Sequence, residues 1–302
     1  MVWILLVLFY GLAKGAREVI KKKSLEKNTV LEVLVFYTLL SFIMVLPDAP
    51  NAGGITLYEG AWIALKSFFI FLAWILSFQA IRYLPVSYYG ILDLSRVVFA
   101  TLLGVFALGE TMGLFQGIGL VLVLIGLVLL KGMKHRKAVL KDAKVKDANI
   151  KDTNIKDTGE NVEAKYVIMC LLSCVFNAFS GFMDKLLMKE LTSSQLQFWY
   201  MLFLVAYYLI YVLIKRVKIN YRSLLKNYWI YILSILFVLA DRALFVANGM
   251  EASKVTIMTL IKQSGCLVTI VAGKLVFHEK NIRYKLLCAG VIVAGIVIAV
   301  IP

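Results

Sequence analysis

The chain has 302 residues, of which 61% are hydrophobic and 17% charged, with a mean hydropathy of +0.85. Such a composition leaves too little polar surface to cover a soluble domain of this length. The net charge of +15 could suit nucleic acid, but the basic residues fall in short stretches between apolar blocks, the pattern of membrane topology.

Unbroken apolar runs such as Val121–Leu130 and Val291–Ile301 fit helices, since barrel strands would alternate apolar with polar residues. A helix of ~20 residues crosses a hydrocarbon core of ~30 Å. On that basis the sequence predicts ten transmembrane helices. The first covers 2–20 and carries Gly11, Lys14, Gly15, Arg17 and Glu18. It lacks a basic leader and an A-x-A-like cleavage site, so it is expected to be retained. The second covers 29–46 and ends at the turn residues Pro47–Gly54. The third (61–82) and fourth (85–108) are separated at Pro85, and the fourth holds Tyr89, Asp93 and Arg96. Gly109–Gly113, which includes Glu110, leads into the fifth, 113–131.

Residues 132–164 break the pattern with four pentads that each open Lys-Asp, at Lys141, Lys146, Lys151 and Lys156. A polar, repetitive run of this kind has no apolar face to bury and is expected to be a disordered charged linker. It divides a first unit, 1–131, from a second, 165–302. The second unit is expected to hold helices at 166–188, 194–214, 225–249, 254–277 and 283–301. Asp184 and Lys185 lie in the sixth helix, Asp241, Arg242 and Asn248 in the eighth, and Thr259, Lys262 and Gln263 in the ninth. Glu279 follows the ninth.

The two units repeat one another. A shift of 169 lays Gln79 on Asn248, Ser87 on Thr256, Ser95 on Ser264, Glu110 on Glu279 and Gly126 on Gly295. A shift of 166 lays Gly15 on Gly181 and Glu18 on Asp184. Five helices per unit is an odd number, so the copies must insert with opposite orientation. The fold class expected is therefore all-α integral membrane, ten helices as two inverted five-helix repeats, the organisation of many secondary transporters.

The segment Ala80–Gly126, with Ser87, Leu94–Ser95 and the closing Leu108-Gly109-Glu110, resembles the EamA-like repeat of the drug/metabolite transporter superfamily. Gly249–Gly295, with Phe277-His278-Glu279, is its second copy. The resemblance implies a ten-helix permease, commonly an exporter of amino acids or other metabolites. Two departures stand out. Arg96 and Gly265 occupy positions where family members often have proline. The resemblance also places both termini in the cytoplasm, whereas the basic residues, which cluster after odd-numbered helices, place the linker there and the termini outside. The count for the even-numbered loops finds only Lys66, which falls just inside the third expected helix, with Lys189 and Lys254.

An ionisable residue in mid-membrane costs ~2.5–3.5 kcal/mol on insertion scales and normally faces a cavity or a partner. Ser87, Gly90 and Asp93 share one face of the fourth helix, and Thr256, Thr259 and Lys262 share the equivalent face of the ninth. The inverted copies are expected to bring Asp93 to Lys262, as a gate or substrate clamp; pairing with Arg96 on its own helix is the alternative. Tyr89 is the candidate cavity aromatic. Lys14 and Glu18, with Asp184 in the repeat, extend the cavity set, although Glu18 and Asp184 could instead snorkel. Arg242 is expected to point toward another helix or the substrate path. Lys14, Arg17, Arg96, Lys185, Arg242 and Lys262 outnumber Glu18, Asp93, Asp184 and Asp241, which favours an anionic or zwitterionic substrate. Glu110 and Glu279 read as structural residues at the repeat ends, capping the next helix or binding a loop.

No cofactor is expected. No G-x-x-x-x-G-K-[ST] motif occurs, His135 and His278 fall in expected loops, and the four cysteines sit in apolar context as small buried thiols. The function expected is a secondary active transporter of a small metabolite in the plasma or inner membrane, as monomer or homodimer. Protons are the candidate coupling ion. A lipid-carrier flippase or a cationic-compound efflux protein is the alternative on the same architecture. An intramembrane enzyme lacks its nucleophile or metal constellation, and a sensor or scaffold would not need opposed charges on equivalent repeat faces.

Overall fold

The structure, a computed structural model, describes residues 2–108, 113–131, 159–217, 219–248, 250 and 261–299. Every regular element among them is helical. In chain order they are α1 (Val2–Ser24), α2 (Val30–Val45), a 3-10 turn (Leu46–Asn51), α3 (Leu57–Tyr83), α4 (Val86–Asp93), α5 (Arg96–Leu108) and α6 (Leu114–Lys131). The second half supplies α7 (Gly159–Leu187), α8 (Ser193–Lys215), α9 (Tyr221–Lys226), α10 (Tyr228–Asn248), α11 (Ser264–Leu275) and α12 (Ile282–Ala299).

Local chemistry sets the boundaries. Thr29 with Glu32, Thr56 with Glu59 and Thr192 with Gln195 form capping boxes that satisfy the first N–H groups of α2, α3 and α8. Pro47 and Pro50 lack the N–H that would continue α2, and the chain tightens into the 3-10 turn. Pro85 forces Leu84 into an extended conformation, ψ 151°, and ends α3. Arg216 closes α8 in the left-handed region, φ 48°. The helix α7 starts at Gly159, inside the stretch expected as linker.

Among the described residues five stretches are long and apolar enough to cross a membrane: Val30–Asn51, Leu57–Tyr83, Val86–Leu103, Ala164–Asp184 and Ser193–Lys215. Leu114–Leu130 and Ser264–Leu275 are shorter apolar helices. The large apolar side chains left outside, such as Leu124, Val128, Leu213 and Val271, suit a lipid-facing surface.

Packing follows the sequence repeat. The helix α1 packs on α10, and α3, the repeat mate of α10, packs on α7, the repeat mate of α1. The helix α4 packs on α11, the repeat mate of α5, and two pairs of mates meet each other: α2 with α8 and α6 with α12. Gly126 and Gly295 show why the last pair approaches so closely. A Cβ on Gly295 would lie 2.7 Å from the Gly119 carbonyl, and one on Gly126 would meet Ile292. The capping boxes also reach across the halves. Glu32 accepts the Asn220 N–H at 2.9 Å, while Gln195 donates to the Gly53 carbonyl at 2.7 Å.

The fourth expected span is not continuous. It breaks at Leu94–Ser95, separating α4 from α5. The ninth turns at Gln263, the residue equivalent to Leu94 under the 169-residue shift. The physical change is the same in both places. Val97 N–H bonds the Leu94 carbonyl at 3.1 Å, and its mate Cys266 N–H bonds the Gln263 carbonyl at 3.0 Å. These three-residue bonds interrupt the four-residue ladder and tighten the turn. No proline is needed at Arg96 or Gly265.

Candidate functional site

The two breaks meet at a small pocket formed by both halves. Lys14, Gly15 and Glu18 of α1, Gly90, Asp93 and Leu94 around the first break, and Lys262, Gln263, Gly265, Cys266 and Thr269 around the second all line it. Small residues make the approach possible. A Cβ on Gly265 would sit 2.6 Å from the Gly11 carbonyl, and one on Gly90 would sit 2.8 Å from the Thr269 Cβ. The backbones of α1, α4 and α11 can converge here only because these side chains are absent.

Asp93, the last residue of α4, is 7% exposed. Its Oδ2 accepts Lys14 Nζ at 2.7 Å and its Oδ1 accepts Arg96 Nη2 at 2.8 Å. The Cys174 thiol lies 3.8 Å from Oδ1. One carboxylate therefore answers two cations from opposite sides of the break, and removing it would leave both without that partner in a dry setting. Lys262 enters the same pocket with its ammonium 6.0 Å from the Tyr10 ring.

A second set of charges crosses the bundle beside the pocket. Glu18 bonds Lys21 at 2.7 Å, and Lys21 reaches Ser77, whose hydroxyl lies 2.6 Å from that of Tyr89. Arg17 meets Asp241 at 3.4 Å, and the Tyr200 hydroxyl donates to the same carboxylate at 3.4 Å. Lys66 bonds Asp184 at 2.9 Å and lies 4.1 Å from the Tyr200 ring centroid. These side chains come from α1, α3, α4, α7, α8 and α10, so the polar interior joins the two halves. No group of three or more His, Cys, Asp or Glu among the described residues is placed to hold a metal.

Residues 1–131 and 164–301 match the EamA-like transporter family. The chain belongs to that family. Both repeats are matched and residues 132–163 fall between them, so the repeat seen by self-comparison is the family's own. EamA-like proteins are drug/metabolite transporters, and this one is a multi-pass membrane protein. No curated protein matches the chain. One solved crystal structure superposes over 97% of this chain and 96% of its own with a TM-score of 0.63 at 11% identity, which shows a shared fold.

Within this EamA-like transporter the expected site residues separate into groups. Lys14, Glu18, Asp93, Lys262 and Gln263 line the pocket, with Arg96 bound to Asp93. The expected Asp93–Lys262 ion pair is not formed. Asp93 is held instead by Lys14 of α1 and by Arg96 three residues on, the same-helix alternative that the spacing offered. Tyr89 is not a cavity aromatic; it is 1% exposed and bonds Ser77 inside the core. Arg242 turns away from the pocket to Asp48 in the 3-10 turn. Asp241 and Asp184 belong to the neighbouring charge set, and Glu18 and Asp184 are paired with Lys21 and Lys66. Lys66 is not a loop residue. It is 2% exposed within α3. Asn248 ends α10, while Thr259 and Glu110 lie outside the described residues. Glu279 caps a helix, but α4 of the other half and not the next one.

Sequence reasoning missed Gly90, Cys266 and Thr269 as pocket walls. Gly90 carried a signal in its i, i+3 spacing with Asp93. Cys266 and Thr269 read as ordinary residues of an apolar helix.

Proposed function

We propose that this chain is a secondary active transporter of a small anionic or zwitterionic metabolite, such as an amino acid. Ten membrane-spanning segments form two inverted repeats that rock about the pocket between the helix breaks. The observation that carries the reading is Asp93 shared between Lys14 and Arg96 at the wall of a pocket that Lys262 also enters. A substrate carboxylate can compete with Asp93 for these cations without bringing a new unpaired charge into the membrane. The exchange of packing partners between the halves supports the inverted arrangement. Protons are the proposed coupling ion, and the plasma or inner membrane the proposed location, with the linker in the cytoplasm.

Efflux from proteoliposomes tests this reading. Purified protein is reconstituted with a panel of amino acids, organic acids, sugars and lipophilic cations, with and without a pH gradient and without ATP. Carboxylate-bearing solutes should leave faster than from empty liposomes. Flux of lipophilic cations alone would point to the efflux alternative.

A further inference from the structure

Away from the pocket, a polar knot joins the halves at the end of the bundle where α7 follows the linker. Glu279 lies between α11 and α12. Its carboxylate accepts the Val86 N–H at 2.6 Å and the Ser87 hydroxyl, and so caps α4 of the opposite half. Lys285 of α12 closes the knot, bonding Glu279 at 2.7 Å and Ser87 at 2.6 Å. The side chains of Lys285 and Glu279 are only 3% and 9% exposed. Lys22, at the end of α1, reaches the Leu84 carbonyl beside the knot.

A helix normally draws its cap from its own chain, from Ser, Thr, Asp or Asn at the residue before the first turn. That residue is Pro85 here, which has no side-chain acceptor. The cap is therefore supplied from the other half of the molecule. Parting the halves at this end removes the cap from α4, the eight-residue helix that ends at Asp93. Gly90 of the same helix lies against Thr269 of α11. Separation at the linker end and displacement of Asp93 in the pocket are thus tied to one rigid element.

We propose that the Glu279–Ser87–Lys285 knot is a latch that closes the linker-side entrance and releases whenever the pocket opens to that side. The latch rests on the alternating-access reading above, and its first test is read without any substrate. Cys266, a pocket-lining thiol, is kept as the sole cysteine by replacing Cys170, Cys174 and Cys288 with serine. Its labelling by a membrane-impermeant maleimide is measured from each face of sealed vesicles. The double variant Glu279→Gln/Lys285→Met removes the ion pair without stranding either charge. It should raise labelling from the linker face by about tenfold, with little change from the other face. Unchanged labelling, or an equal rise from both faces, overturns the latch. Independently, Ser87→Cys/Glu279→Cys joined by a short bifunctional reagent in a chain lacking the native cysteines should arrest solute exchange until the reagent is cleaved. Full exchange in the joined protein also overturns it. A labelling shift in protein that moves no solute would instead retain the latch and count against the transport reading.

Discussion

Lys14 and Asp93, 79 residues apart in the chain, meet at 2.7 Å where α4 ends. The contact fixes α1 to the first helix break and places a carboxylate at the pocket wall. It also explains why Asp93 tolerates burial: each oxygen has its own cation, at 2.7 and 2.8 Å.

Neutralising Asp93 should therefore be worse than neutralising either partner. Asp93→Asn leaves Lys14 and Arg96 without their shared anion and should cost about 3–5 kcal/mol, the usual penalty for breaking a buried pair. Lys14→Met leaves Asp93 with Arg96 and should cost less. Thermal unfolding of the purified variants in detergent measures the order. A smaller loss for Asp93→Asn than for Lys14→Met contradicts it.

Gly15 and Gly181 are repeat mates with opposite surroundings. A Cβ on Gly15 would lie 2.7 Å from that of Val268 and closer still to the Gly265 carbonyl, whereas Gly181 has nothing within 4 Å. Gly15→Ala should destabilise by about 1–3 kcal/mol through overpacking, and Gly181→Ala should be tolerated. Melting temperatures of the two variants decide the matter, and equal shifts would count against the packing described.

Lys66 and Asp184 form a cross-half pair in which Lys66 is 2% exposed. Lys66→Met should cost on the order of 1–3 kcal/mol, because it leaves Asp184, whose side chain is 34% exposed, without its charged partner. Adding Asp184→Asn should recover most of that loss. A double variant no more stable than the single one would mean that Lys66 stabilises through other contacts.

The linker should be dispensable for movement of solute. Deleting residues 140–158 removes most of the Lys-Asp pentads and leaves both family-matched segments whole. Solute flux in proteoliposomes should stay within about twofold of the intact chain, since the closure entropy of a connecting segment changes slowly with its length. Loss of flux would assign the linker a working role.

Much of this organisation was legible in the sequence because it depends on long-range pattern. Apolar blocks, the 169-residue repeat and the Gly126–Gly295 and Glu110–Glu279 matches needed no knowledge of side-chain direction. The pairing of charges was not legible in the same way. Asp93 and Lys262 occupy equivalent positions, which suggests a pair; the i, i+3 spacing of Asp93 and Arg96 across the turn at Leu94–Ser95 offered the alternative that forms, whereas Lys14 reaches Asp93 from α1, a contact no single-helix spacing reveals. Helical periodicity carries no signal for such a break when no proline or glycine stands at it. Arg242 illustrates the same limit. Its neighbour Asp241 faces Arg17, while Arg242 itself reaches a 3-10 turn nearly 200 residues earlier.

Counterflow in proteoliposomes tests the central claim most directly. A carrier that alternates between two faces exchanges labelled external solute for unlabelled internal solute faster than it catalyses net uptake. The account predicts such exchange for at least one carboxylate-bearing metabolite without ATP, and its loss in Asp93→Asn protein that remains folded. Exchange that persists undiminished in Asp93→Asn, or flux that never exceeds that of empty liposomes for any carboxylate, would contradict it.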